Sequence, residues 1–324
     1  MVDRVTHLLA VTGHQPAVIV DATVGTAGHA AALLAVSGPG THLVGFDRDE
    51  DALALAHRRL AAYRDRVTLV HASYDELTDH VTPVIEQVGP LLGVLYDLGV
   101  SSLQLDRAER GFSFRTEGPL DMRMDRSAEV TAAQLVNELS VGDLARLIGR
   151  LGEERFARRI AAAIVRARPL RTTTALAEVV AAAVPAATQR TGHHPATRTF
   201  QALRIAVNTE LDRFDASLPQ ALELSAPAAT AQTMPGRGGR IVVLSYHSLE
   251  DRIAKRFFSD AAAGCICPPG LPVCGCGRVP SVRHLTRGAA RPDAGEVAAN
   301  PRARAARLRA VERIVDAGIV PVGS

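Results

Sequence analysis

The stretch from Val18 to His29, Val-Ile-Val-Asp-Ala-Thr-Val-Gly-Thr-Ala-Gly-His, constrains the fold more than any other part of the chain. An apolar, β-branched run from Ala17 to Val20 reads as a buried parallel strand. It ends in Asp21 and a glycine-bearing turn, and an Ala/Leu-rich helical pattern begins near Gly28. Gly25 can take the positive φ of a tight turn, and Gly28 lets a ligand approach the backbone where helix amides point outward. Many nucleotide-binding α/β proteins share such a turn. Here a second strand ends in Gly45-Phe-Asp47, 22 residues past Gly25. An acidic side chain there can accept hydrogen bonds from both ribose hydroxyls of an adenosine.

Strand and helix alternate through residue 104, with strands expected at 17–22, 42–46, 67–71 and 91–96. Asp49 is a plausible helix N-cap and Ser73-x-x-Glu76 a capping box. The pattern predicts a doubly wound α/β domain with its ligand crevice at the carboxyl ends of the strands. The third strand runs into His71-Ala-Ser-Tyr74, so Tyr74 belongs at that edge, either flanking an adenine or covering the sheet end. After residue 105 the pattern changes. Residues 106–125 are charged and loop-like, and the periodicity is helical from Thr131 to about residue 224. Thr131-x-x-Gln134 opens one helix, Gly152 to Arg168 forms another, and Thr173 to Val184 a third that Pro185 ends. Strand character returns at Arg240 to Leu244, a helix starts at Ser248, and β-like runs at 281–286 and 307–314 finish the sheet. An α/β domain interrupted and then resumed implies an insertion. We expect residues 1–105 and 210–324 to form one discontinuous domain around an all-helical insert, 106–209.

A chain of 324 residues with 47% hydrophobic and 22% charged residues can bury a large core in two lobes. It has no secretory signal and no apolar run of membrane-spanning length, so a cytoplasmic location is expected. A net charge of +3 neither favours nor excludes a nucleic-acid partner, but the positive charge is nearly all arginine, with Lys255 the single lysine. Arg155, Arg159 and Arg166 share one helix face with Arg158 beside them, and arginines recur at 302, 304, 307 and 309. A solvated face is the ordinary explanation; a phosphate-binding face for RNA is the functional one. The four cysteines crowd between 265 and 276, which is no disulfide framework for so long a chain. Cys265-x-Cys267 and Cys274-x-Cys276 could bind zinc as four thiolates, though the pairs are tighter than zinc-ribbon spacing. A reduced loop is the alternative.

The second informative stretch is Val94-Leu-Tyr-Asp-Leu-Gly-Val-Ser-Ser-Leu-Gln104. It delivers Asp97 to the crevice, where a carboxylate can accept hydrogen bonds from an amine substrate beside a bound cofactor; Ser101 or loop carbonyls could assist. An Asp in such a loop can also simply cap its own backbone. Three acids at strand ends, Asp21, Asp47 and Asp97, suit S-adenosylmethionine, whose ammonium and ribose hydroxyls are donors, better than a dinucleotide with its anionic pyrophosphate. His247, after the fifth strand, could line the ligand crevice or serve structure alone.

With these residues in view, the chain resembles the bacterial small-subunit ribosomal RNA cytosine-N4 methyltransferases. The matching runs are Asp21-Ala-Thr-Val-Gly-Thr-Ala-Gly-His29, Asp97-Leu-Gly-Val-Ser-Ser102 with Gln104, Glu109-Arg-Gly-Phe-Ser-Phe114 and Gly118-Pro-Leu-Asp-Met-Arg-Met-Asp125. Further runs are Gly152-Glu-Glu-Arg-Phe156, Ala196-Thr-Arg-Thr-Phe-Gln-Ala-Leu-Arg204, Ser245-Tyr-His-Ser-Leu-Glu-Asp-Arg252 and Asn300-Pro-Arg-Ala-Arg304. The resemblance implies a Rossmann-like, S-adenosylmethionine-dependent methyltransferase domain with an inserted helical domain for substrate recognition. The implied reaction is methylation of N4 of a decoding-centre cytidine in 16S ribosomal RNA, within the small subunit. By position it assigns cofactor contacts to Ala27, Gly28, His29, Asp47, Tyr74, Asp97 and Gln104, and we take Asp97 as the catalytic acceptor. No metal is expected in catalysis, because some members of the family lack the cysteines. The chain departs from the family at Ala27, where glycine is usual, at Leu103, where proline is common, and before the first strand, where Met1 to Gln15 carry no His-x-Pro-Val-Leu segment. Ala27 and the altered N-terminus leave open a catalytically weak RNA-binding or ribosome-assembly protein; a same-fold methyltransferase acting on another substrate, such as a small molecule, is a further alternative, against which the size of the insert speaks.

Overall fold

The computed structural model describes residues 1–185, 194–228, 237–265, 267 and 275–314. The chain divides into two compact units, 1–99 with 213–324, and 100–212. The second contains the 106–209 span.

The first unit is built on a seven-stranded sheet of order β3-β2-β1-β4-β5-β7-β6. Its strands are β1 (Ala17–Asp21), β2 (Thr41–Asp47), β3 (Val67–His71), β4 (Leu91–Asp97), β5 (Arg240–Ser245), β6 (Val282–His284) and β7 (Arg307–Arg313). β1 to β5 run parallel and β7 runs antiparallel between β5 and β6. The unbroken apolar character of β1 follows from burial on both faces. Val18 and Val20 join a core with Phe46, Tyr96, Phe214 and Phe258, while Ala17 and Ile19 face Leu9, Leu33 and Leu95. Helix α1 (Val2–Leu9) occupies the segment before the first strand, burying Val5 and Leu9 in that second core. The remaining helices of the first half are α2 (Gly28–Val36), α3 (Glu50–Arg59) and α4 (Leu77–Val88). Asp49 caps α3 through Asp51 N, and the Ser73/Glu76 capping box forms around a 3₁₀ turn, Tyr74–Glu76, that leads into α4. The strand order reverses between β1 and β4, and the carboxyl ends on either side of that point carry Asp21, Asp47 and Asp97.

The second unit is helical: α5 (Ser102–Asp106), α6 (Ala132–Glu138), α7 (Val141–Gly152), α8 (Ala157–Arg166), α9 (Thr173–Ala183) and α10 (Thr197–Asn208). Leu144, Ile148, Ile160, Ile164, Leu176, Val180 and Leu203 fill its core. The single helix expected from Gly152 to Arg168 is instead a helix end, a turn and a shorter helix. Gly152 closes α7 where the Arg198 carbonyl comes so near that a Cβ would lie 2.5 Å from it. Glu153 then turns left-handed at φ 48°. Apolar periodicity reads through this break because α7 and α8 bury faces in the same core. The cut between units falls inside α11 (Glu210–Leu224), after which the first unit resumes. Helix α12 (Ser248–Ala262) is capped by His247 rather than Ser248. Among the described residues no helix is long and apolar enough to cross a membrane.

Candidate active site

The turn after β1 is held by the end of β2. Val24 N donates to Phe46 O at 2.8 Å, and Gly25 N donates to Asp47 Oδ2 at 2.8 Å. The other Asp47 oxygen accepts from Asp49 N at 2.9 Å. Asp47 therefore fixes the glycine turn while retaining lone pairs, since a carboxylate offers about four acceptor sites. Burial holds its carboxyl above the usual range against these backbone donors. Gly25 adopts φ 51°, as its place in the sequence requires, and Ala27 adopts φ 61° with its methyl fully buried. A left-handed backbone at this point is the physical reason for a glycine preference, and alanine occupies it under strain. A Cβ built on Gly28 would meet only the Arg59 Nη1 atom, at 3.7 Å, so the start of α2 is open.

Asp97 is the most connected of the three acids. Its backbone N donates to Thr23 Oγ1 at 2.7 Å, which ties β4 to the turn after β1. Its Oδ1 accepts from the Tyr246 hydroxyl at 2.8 Å, and its Oδ2 faces His29 Nε2 at 3.4 Å. The Asp97 side chain keeps 28% exposure and that of His29 16%, enough access for a ligand. Burial lowers the affinity of His29 for its proton, but the bond to Asp97 and the charges of Asp97 and Asp21 outweigh it and raise its pKa. Among the described residues the buried His29 Nδ1 has no hydrogen-bond partner. Burial and the adjacent Asp97 push the Tyr246 phenol far upward, so it stays a protonated donor. Asp21, 1% exposed, has its pKa raised to about 7, chiefly by burial and partly offset by His29 and by Thr23 N.

Tyr246 was not singled out from the sequence beyond its place in the Ser245-Tyr-His-Ser248 run. Its position directly after a strand end is the signal that could have found it. Tyr74 lies at the β3 end as expected and packs edge-on against Tyr96 at 5.9 Å. His247 serves α12: its Nδ1 accepts from Glu250 N at 3.5 Å and its Nε2 lies 3.0 Å from Glu250 Oε1, which favours the structural reading. Gln104 belongs to the second unit, where Ser101 N donates to its Oε1 and its own N donates to Ser101 Oγ. The Ser101 hydroxyl is thus engaged as the cap of α5.

The arginines separate into two groups. Arg307 and Arg309 grip Asp251, with nitrogen–oxygen distances of 3.0, 2.7 and 3.1 Å, which lowers the Asp251 pKa against its burial. They form an intramolecular ion pair in which two guanidinium groups share one carboxylate. In the second unit Arg158, Arg159 and Arg166 are exposed on α8, and the Arg155 guanidinium lies 4.6 Å over the Phe156 ring. An open concavity there is lined by Arg146, Arg155, Phe156, Arg158 and Arg159.

A doubly wound sheet with a glycine turn and acids at three strand ends defines a Rossmann-like domain suited to a nucleoside-bearing cofactor. Residues 1–314 match the MraW methylase family, and the chain belongs to it. It is a methyltransferase, and its methyl donor is S-adenosylmethionine. The chain is 52% identical over 319 residues to "Ribosomal RNA small subunit methyltransferase H" of Thermobifida fusca, covering 97% of this chain and 92% of that protein. Proteins of the same name from Saccharopolyspora erythraea, 51% identical (98% and 93% covered), and Heliobacterium modesticaldum, 48% identical (92% and 92%), are similarly close.

Proposed function

We propose that this methyltransferase acts in the cytoplasm on small-subunit ribosomal RNA in the small ribosomal subunit, methylating N4 of a decoding-centre cytidine. The observation that carries the chemistry is Asp97, an accessible carboxylate at the sheet's switch point, held on one oxygen by Tyr246 and faced on the other by His29. The relatives' names supply the substrate class.

The donor set fits S-adenosylmethionine. Acceptors at Asp47 and Asp97 match ribose hydroxyls and an ammonium, whereas Asp21, 1% exposed, is out of a ligand's reach; the space at Gly28 admits a ligand to the backbone. Asp47 would take the ribose, Tyr74 would border the adenine, and Ala27, Gly28, His29 and Asp97 would surround the methionine moiety. The family resemblance adds Gln104. When bound, the cofactor supplies an electrophilic methyl group.

The cytosine amine is a poor nucleophile because its lone pair is conjugated into the ring. Asp97 accepts a hydrogen bond from that amine, orients its lone pair and receives the proton released as the N–C bond forms. Holding the amine in line is the larger part of the acceleration. A paired cytidine would also have to leave its stack. The helical unit, with its exposed Arg158, Arg159 and Arg166, would supply phosphate contacts during substrate recognition.

The test incubates the purified chain and S-adenosylmethionine with small-subunit particles from cells lacking this methyltransferase, followed by mass spectrometry of ribosomal RNA nucleosides. New N4-methylcytidine is expected. Absence of methyl transfer, or methylation at another atom, overturns the proposal.

A further inference from the structure

The loop between α12 and β6 carries chemistry that methyl transfer does not use. Its neck is closed by Ser281, whose N and Oγ both donate to Ala261 O, at 2.9 and 3.1 Å, and Arg278 donates to Asp260 O. Above that neck Cys265, Cys267 and Cys276 bring their sulfur atoms within 4.8 Å of one another. None is in a disulfide. Cys276 Sγ lies 3.7 Å from Cys265 Sγ. Cys274, the remaining cysteine, lies outside the described residues.

We propose that Cys265, Cys267 and Cys276 bind a structural zinc ion that closes this loop. The first argument is geometric. Tetrahedral zinc with Zn–S bonds of about 2.3 Å sets its sulfurs roughly 3.8 Å apart, and the Cys265–Cys276 separation matches that edge. An S–H···S contact would explain one pair, but not a third thiol gathered to the same point. The second argument is energetic. No described residue from 263 to 280 is buried, so no apolar packing of the loop itself brings together cysteines that are 11 residues apart. Soft sulfur ligands select zinc over magnesium or calcium. The third is topological. The bonds at Ala261 bring the two arms of the loop together at its neck, which lowers the entropy cost of closing the ring through a metal. The sequence also offers Cys274 beside Cys276, although the proposal rests on the three placed thiols.

The test uses the full chain without a polyhistidine tag, desalted and analysed by elemental mass spectrometry. About one zinc per chain is expected, and Cys265→Ser and Cys276→Ser should each lower occupancy more than about tenfold at fixed free zinc. Cobalt titration of the zinc-stripped wild-type chain gives a readout independent of the variants. Thiolate-to-cobalt charge transfer in the near ultraviolet and intense tetrahedral bands in the visible are expected, removed stoichiometrically by zinc. A chain that retains no zinc and gives no cobalt–thiolate band overturns the proposal. So does a chain that carries iron in place of zinc, or variants that bind zinc as tightly as the wild type.

Discussion

The Tyr246 hydroxyl donates to Asp97 Oδ1 at 2.8 Å, joining the loop after β5 to the end of β4 across 149 residues of sequence. The phenol holds one carboxylate oxygen and leaves its further lone pairs for a ligand. Tyr246→Phe deletes the donor while keeping the ring. A hydrogen bond to a charged group is worth about 1.5–3 kcal/mol, and water can replace part of it at a carboxylate 28% exposed. We expect single-turnover methyl transfer to fall about three- to tenfold. Methyl transfer at the wild-type rate would reduce Tyr246 to packing.

Asp97→Asn tests the acceptor itself. The amide keeps size and one acceptor oxygen but presents donors toward an amine that also donates. At saturating cofactor the transfer rate should drop more than about tenfold, equivalent to 1.4 kcal/mol, with RNA affinity little changed in a filter-binding assay. A wild-type rate under those conditions would make Asp97 a cofactor ligand only.

Asp47→Ala should weaken S-adenosylmethionine binding by about 1.5–3 kcal/mol, measured by calorimetry. It also releases Gly25 N and Asp49 N, so some loss of thermal stability should accompany it. An unchanged dissociation constant would remove Asp47 from the ribose site.

Ala27 sits at φ 61° with its methyl buried. Glycine would relieve about 1–2 kcal/mol of left-handed strain. Against that stand about 0.4–1 kcal/mol of extra unfolded-state entropy and about 0.8 kcal/mol of lost methyl burial. Ala27→Gly should therefore leave stability within about 1 kcal/mol of wild type and cofactor affinity unchanged or improved. Clear loss of affinity in the glycine variant would show that the methyl is part of the pocket.

Asp21 gives a pH signature in stability. Its pKa is about 7 in the folded chain and near 3.8 when unfolded. Between those values the unfolded state has released a proton that the folded state still holds, so the contribution of Asp21 to stability falls as pH rises and levels off above 7. Asp21→Asn should be more stable than wild type by an amount that grows across that window, reaching on the order of a few kcal/mol. Denaturant titrations at several pH values measure it, and a difference independent of pH would refute buried protonation.

Much of this was legible in the order of residues because the signals are local. β-branched runs mark strands buried on both faces, and the caps at Asp49, Ser73 and Thr131 act within three residues of themselves. The acids at 21, 47 and 97 follow directly from where each apolar run stops. The helix break at Gly152 was not legible, because its cause is the carbonyl of Arg198, far along the chain.

The alternation of elements, the glycine turn and the three acids at strand ends are written in short stretches of residues, since each depends on neighbours a few positions away. Tertiary structure alone decided what those acids touch. It set Tyr246 and His29 on opposite oxygens of Asp97, turned Asp47 into the clamp of the Gly25 turn, and spent Arg307 and Arg309 on Asp251. The reason is the parallel sheet. Its crossovers bring strand ends from distant parts of the chain to one edge, where charge and hydrogen bonding act across space without leaving a periodic trace in the sequence.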